Sequence, residues 1–458
     1  MSTSALRWIT AAWAMAFAVL WASSAIAGPA PGDDEPAPKV KTLTDDGGWG
    51  YAGPHAVTSN GMLFVSYLDR AGATWLAALG PGDEEFAKKK VWQGDADLHS
   101  ANPLCVRPDG RLQVFVDEGG YVDKRLRWRT SAAPWDISEF GETRESALEA
   151  DIIQGRQFYP MVAESTPEIH VIINALRDDG IRETVMWRSR DGGDTFPEYT
   201  RLWSLAEDLA GNRSYTRAYI HGDVIHMVIV RVGWNETVGE HAIGRVEGVY
   251  YIKYDINEEA FLRANGERAF TLDDAPVYDP ERFDRIWCWQ EDGGGEQRAV
   301  WSDIVTNSDG HPYVAFAVQD AAPQGESKTH DGYWATPDDG GAWRHHRVTE
   351  LARGWDNTPE RKNYAIAIDP DDPHTVFVAK STDAEADLSQ VHRMVSEDEG
   401  ETWRSVETLS EEGRITTVVV PRRTDDTPRP VDVLWLEGHM EGWSDYATRI
   451  LTHEPRTD

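Results

Sequence analysis

Apolar positions along this chain come in short bursts separated by turn-forming residues. Runs rich in β-branched and aromatic side chains recur at 61–67, 111–116, 169–174, 224–230, 313–316, 375–378 and 431–436, bounded by Gly, Pro, Asp or Asn. Several follow a turn of one kind, as in Arg107-Pro-Asp-Gly110 and Asn307-Ser-Asp-Gly310. Helical periodicity sustained over three turns is missing; the stretch at 205–209 comes nearest and is too brief. The pattern predicts an all-β chain.

Three turn segments follow one form, Ser/Thr-x-Asp-x-Gly-x-x-aromatic. They are Ser189-Arg-Asp191-Gly-Gly193-Asp-Thr195-Phe196, Ser396-Glu-Asp398-Glu-Gly400-Glu-Thr402-Trp403 and the looser Thr336-Pro-Asp338-Asp-Gly340-Gly-Ala342-Trp343. The residue types suit a hairpin. Hydroxyl and carboxylate accept the N–H bonds a tight turn leaves unpaired, glycine takes φ > 0, and the aromatic packs the returning strand. The form resembles the Asp box, or BNR repeat, of sialidase-like β-propellers. The last two boxes lie 60 residues apart, about the length of one four-stranded blade with its loops. At that period, roughly 410 residues make about seven blades. The 147 residues from Ser189 to the looser box at Thr336 hold two blades plus insertions, for which the polar, Gly-rich segments 233–248 and 291–295 are candidates. No linker follows residue 46. The resemblance therefore implies one seven-bladed β-propeller domain over 47–458, with six or eight blades also in range.

The N-terminus reads differently. Arg7, a mostly apolar stretch at 9–21 and Ala25-Ile-Ala27 before Gly28 form the pattern of a secretory signal over 1–27. The apolar stretch is short for a membrane span, and Thr10 interrupts it. Residues 28–46, rich in Pro, Asp and Gly, read as a flexible leader. The mature chain is expected to be secreted or periplasmic, with no membrane span once the signal is cleaved. Its two cysteines, Cys105 and Cys288, rule out a disulfide framework; they can bridge, but Cys105 in an apolar run reads as a buried thiol. The net charge of -33 argues against nucleic acid as a partner. A polyanionic substrate would need a local cluster of Arg, His and Lys against that field.

Beyond the boxes, most of the mature chain resembles the BNR-repeat family that includes ulvan lyases. The matching residues run in order: Asp97-Leu-His99-Ser-Ala-Asn102-Pro103, Arg107-Pro-Asp-Gly-Arg111, Arg127-Trp-Arg-Thr130, Trp135-Asp-Ile-Ser138, Phe158-Tyr159-Pro160, Arg177, Arg217-Ala-Tyr219, Ile225-His226, Gly248-Val-Tyr-Tyr251, Val433-Leu-Trp-Leu436 and Ser444-Asp-Tyr446. The resemblance implies a lyase that cleaves uronic-acid polysaccharide by β-elimination. That chemistry needs a guanidinium to neutralise the C6 carboxylate, a base for the C5 proton and an acid for the leaving O4.

Carried over by position, the resemblance nominates His99, Tyr159, Arg177 and Tyr219. Tyr159 would be the proton donor or shuttle, Arg177 the carboxylate clamp, His99 the base or its orienting partner, and Tyr219 a wall of the pocket. Arg217 joins them as a substrate-binding residue. Each has a plain structural role open to it: His99 as a hydrogen-bonded strand residue, Tyr159 and Tyr219 as packing rings, and Arg177 paired at its turn. Where active members carry a second His, this chain has Asp117 and Glu118. A carboxylate can serve as base but repels a uronate, so the chain acts on a different sugar, uses these acids in another role such as substrate binding, or has lost the reaction. His226, His241 and Cys288 are the ligand types a structural metal would use. They show no compact metal spacing, so no metal or cofactor is expected. An acidic polysaccharide or other glycan is the expected partner. A non-catalytic glycan-binding propeller is the alternative. A sialidase-like hydrolase ranks lower, because the early Phe/Tyr-Arg-Ile-Pro signature is absent.

Overall fold

Each apolar burst becomes a strand, and the polar turns fold the strands into antiparallel sheets. The run at 111–116 is the strand Arg111–Val116; the run at 169–174 extends to Ile169–Arg177, and that at 224–230 to Val224–Val232. The computed structural model describes residues 40–49, 53–98, 102–116, 125–147, 152–204, 213–232, 246–288, 297–320, 330–352, 365–383, 388–440 and 445–455. The stretch at 205–209 and the segments 233–245 and 291–295 lie outside these. Among the described residues the only helical turns are the 3-10 segments Leu272–Asp274 and Pro280–Arg282, and no helix is long and apolar enough to cross a membrane.

One arrangement repeats: a strand facing a shared cavity, then three more laid outward. The sheet that begins at Arg213 departs from it with six strands: Arg268–Thr271 is added at its edge, and Asp284–Trp287 pairs back on Val246–Asp255. The cavity-facing strands are Ala56–Ser59, Leu104–Val106, Ile152–Val162, Arg213–His221, Gln297–Thr306, Ile366–Ile368 and Ile415–Val419. Two of these four-strand groups, beginning at Gln297 and Ile366, join through a single pair, Leu351 with Lys380. The last group is completed from the other end of the chain. Val40–Thr44 pairs antiparallel with Tyr446–His453, so the first and last described strands share one sheet. Residues 40–44, expected in the flexible leader, instead form a strand of the domain because their backbone completes that sheet's edge.

Stacking explains why the inner strands are apolar on both faces rather than alternating. The first seven residues of Ile169–Arg177 are all buried. The apolar clusters run from one sheet into the next: Phe115 and Trp128 pack with Val171, Trp187 and Phe196 of the following sheet. Cys105 and Cys288 are both buried and do not bridge. Burial pushes the Cys105 thiol up to about 12, which keeps it protonated and inert.

The Asp boxes make two kinds of bond. Ser189 Oγ accepts from Gly193 N at 2.8 Å and donates to Asp191 at 2.7 Å, and Asp191 accepts from Thr195 N and Oγ1 at 2.9 and 2.6 Å. Ser396, Asp398, Gly400 and Thr402 repeat this. The glycines take φ of +91° and +90°. Each box then packs on the preceding sheet. Phe196 meets Trp128 at 4.9 Å between ring centres, Trp343 meets Tyr251 at 5.1 Å, and Trp403 meets Trp334 at 5.8 Å. The third box departs from the pattern. Its positive φ falls on Gly341 rather than Gly340, and the Thr336 hydroxyl bonds His311 and the Pro312 carbonyl instead of the turn.

Candidate functional site in the central cavity

The cavity-facing strands enclose about 1070 Å³. Two of its lining residues, Arg217 and Tyr219, sit two apart on Arg213–His221 and so share a face of that strand. Tyr159 comes from the neighbouring Ile152–Val162, where the following Pro160 favours extended backbone. The ring is 2% exposed. The Arg217 guanidinium lies close enough to the Tyr159 phenol to couple to it by charge and hydrogen bonding. Burial raises the phenol's pKa; the guanidinium pulls it back, and the carboxylate of Asp303 adds a smaller upward push. At neutral pH the group is a protonated phenol beside a cation.

Asp303, 5% exposed on Gln297–Thr306, is the hub of the charged part of the cavity. It ion-pairs with Arg422, lies 3.9 Å from Arg217 Nη1, and accepts from Ile368 N at 3.0 Å. The Arg422 guanidinium in turn lies 5.1 Å from the centre of the Tyr219 ring. Enclosure raises the pKa of the Tyr219 phenol, and Arg422 opposes that rise. Around Asp303 two guanidiniums face one carboxylate, although the whole cavity lining carries Arg107, Arg217, Arg422 and Arg423 against Glu164, Asp303, Asp371, Asp425 and Asp426. Any positive field for a polyanionic substrate is therefore confined to the Asp303 cluster.

The cavity therefore gathers three of the residues nominated from sequence: Tyr159, Arg217 and Tyr219. Arg177 is elsewhere. It ends the strand Ile169–Arg177, opposite Ile152, and ion-pairs with Asp179 at 2.7 Å. Tyr159 is opposite Ile172, five residues back, so the two backbone positions are about 17 Å apart along the sheet. His99, Asp117 and Glu118 lie outside the described residues. His226 is buried against Tyr251, with Nδ1 at 2.7 Å from the phenol oxygen, and burial brings its pKa down to about 3. It stays neutral at working pH. Among the described residues no three or more His, Cys, Asp or Glu side chains gather as a metal site, and His241 lies outside them.

Asp303 and Arg422 were not foreseen. The available signals were faint: one carboxylate inside the apolar run 300–305, and an Arg-Arg pair just after the apolar run 415–420.

Residues 62–351 match the model of the BNR repeat-containing family, and the chain belongs to that family. No curated protein matches it. Among solved structures it is similar to a polysaccharide lyase PL25 ulvan lyase bound to -[GlcA(1-4)Rha3S]-, with a TM-score of 0.67 at 15% identity over 89% of this chain and 94% of that one. The polysaccharide lyase Uly1 is also similar, with a TM-score of 0.58 at 11% identity over 89% of this chain and 90% of the other. At such identities the likeness is one of fold, and it is to all-β, propeller-like proteins.

Proposed function

We propose that the protein is a seven-bladed β-propeller that cleaves uronic-acid-containing polysaccharide by β-elimination, exported by a signal over residues 1–27 that is then removed. The blade count is supported by the seven cavity-facing strands, each of which begins a group of at least four strands, and by the sheet shared by the first and last described strands. The observation that carries the activity is the Tyr159–Arg217 pair in the cavity. Arg217 is placed to bind the C6 carboxylate of a uronate and so acidify its C5 proton. A base removes that proton, the role the family resemblance gives to His99. Its electron pair forms the C4–C5 double bond, the C4–O4 bond breaks, and Tyr159 protonates O4. Asp303 fixes both guanidiniums, and Tyr219 walls the site under Arg422. Arg177, about 17 Å off along the sheet, fits the clamp role less well than Arg217.

The test is to incubate the protein with ulvan, pectin and related acidic polysaccharides and follow the ultraviolet absorbance of the unsaturated product. A steady rise with at least one uronate polymer is expected. Flat traces across all of them contradict the lyase reading and favour the glycan-binding alternative, in which exposed Trp rings stack on sugars.

A further inference from the structure

Trp135 is the one tryptophan among the described residues that is exposed, at 38%, and it lines the same central cavity where that space meets solvent. Three features hold its indole there. Its backbone has φ of +51°, a conformation a bulky residue adopts only when its surroundings impose it; here Trp135 N donates to the Gly110 carbonyl at 2.9 Å. The ring lies over Gly110, itself at φ +79°, where an added Cβ would fall 2.9 Å from Trp135 Cζ2. The indole Nε1 donates to Ser59 Oγ at 3.1 Å, and Ser59 Oγ donates to Asp425 Oδ2 at 3.3 Å. Asp425 is fixed in turn by Asn60 N at 2.5 Å. That relay draws on three separate segments of the chain. Strain, a glycine floor and a two-step relay all serve to present an apolar ring to open space.

We propose that Trp135 is a stacking platform for a pyranose ring and defines a glycan subsite at the mouth of the cavity. A sugar offers what such a platform selects: an apolar C–H face for the indole and hydroxyls around its rim. Arg423, Asp425 and Asp426 supply polar groups beside the ring, all on the cavity wall. A ring stacked there continues into the space that holds Tyr159, so Trp135 grips a chain whose reacting bond lies deeper. This subsite rests on the proposed function only in taking the ligand to be a glycan, and it requires no turnover.

The experiment is calorimetric titration of wild type, Trp135→Ala, Trp135→Phe and Ser59→Ala with a glucuronate-containing hexasaccharide, with thermal melts confirming that each variant folds. Trp135→Ala is expected to weaken binding at least tenfold, Trp135→Phe less than fivefold, and Ser59→Ala to an intermediate degree. A folded Trp135→Ala protein that binds as tightly as wild type overturns the subsite, as does a wild type with no measurable affinity. The two readings fail separately. Binding that depends on Trp135 without unsaturated product contradicts only the lyase; product formation with affinity indifferent to Trp135 contradicts only the platform.

Discussion

The Arg422 guanidinium lies 5.1 Å from the centre of the Tyr219 ring while its other side is ion-paired with Asp303. Such a contact contributes about 0.5–2 kcal/mol on its own. Its larger effect is geometric, because it couples Arg213–His221 to the segment after Ile415–Val419 through a carboxylate from a third sheet. Asp303→Asn keeps the shape and removes the charge, leaving two guanidiniums facing a neutral amide. The expected result is a loss of about 2–3 kcal/mol of stability, seen as a lower urea midpoint at unchanged slope.

A second charged cluster ties neighbouring sheets together away from the cavity. Glu168 accepts two bonds from Arg188, at 2.9 and 2.8 Å, and lies 3.1 Å from His170 Nε2; Arg188 also reaches Glu259 at 2.6 Å. The bond with His170 and those with Arg188 bring the Glu168 carboxyl from 4.5 down to about 2. A carboxylate depressed on folding stabilises the fold fully above its unfolded value, and the contribution is lost as pH falls through its folded one. Glu168→Gln is therefore expected to lose about 3 kcal/mol at pH 7. Its melting temperature should approach that of wild type between pH 4.5 and pH 2, a convergence that thermal melts across that range would detect.

The glycine of the second close box is held by both its conformation and its neighbour. At φ +90°, an added methyl at Gly400 would fall 2.4 Å from Trp334 Cζ3 of the preceding sheet. Gly82 has a similar φ of +81° but nothing within 4 Å. Gly400→Ala should cost about 3 kcal/mol or more, and Gly82→Ala only about 1 kcal/mol of backbone strain. Equal losses in chemical denaturation would show that the inter-sheet contact at Trp334 carries nothing.

The strands were legible because each one's apolar run is local, and the close boxes because the Ser and Asp side-chain bonds that close each turn span four residues or fewer. The looser box was legible as a turn but not in detail: Gly340 and Gly341 are adjacent, and only the backbone decides which takes the positive φ. Tyr159, Arg217 and Tyr219 came from the family resemblance, and they share the cavity because their strands are neighbours. Asp303 and Arg422 meet across 119 residues, and no local pattern distinguishes that pair from any other Asp and Arg. Trp135 was visible as a residue but not as an exposed one, since its exposure follows from a strained φ and a relay built by distant segments.

The most direct measurement of the central claim is kcat/KM for release of unsaturated product by wild type and by Tyr159→Phe on the same uronate polymer. If the buried phenol protonates the leaving oxygen, removing its hydroxyl lowers the value by about 10²–10⁴-fold while the melting temperature holds. A Tyr159→Phe protein that turns over the polymer at the wild-type rate contradicts the account.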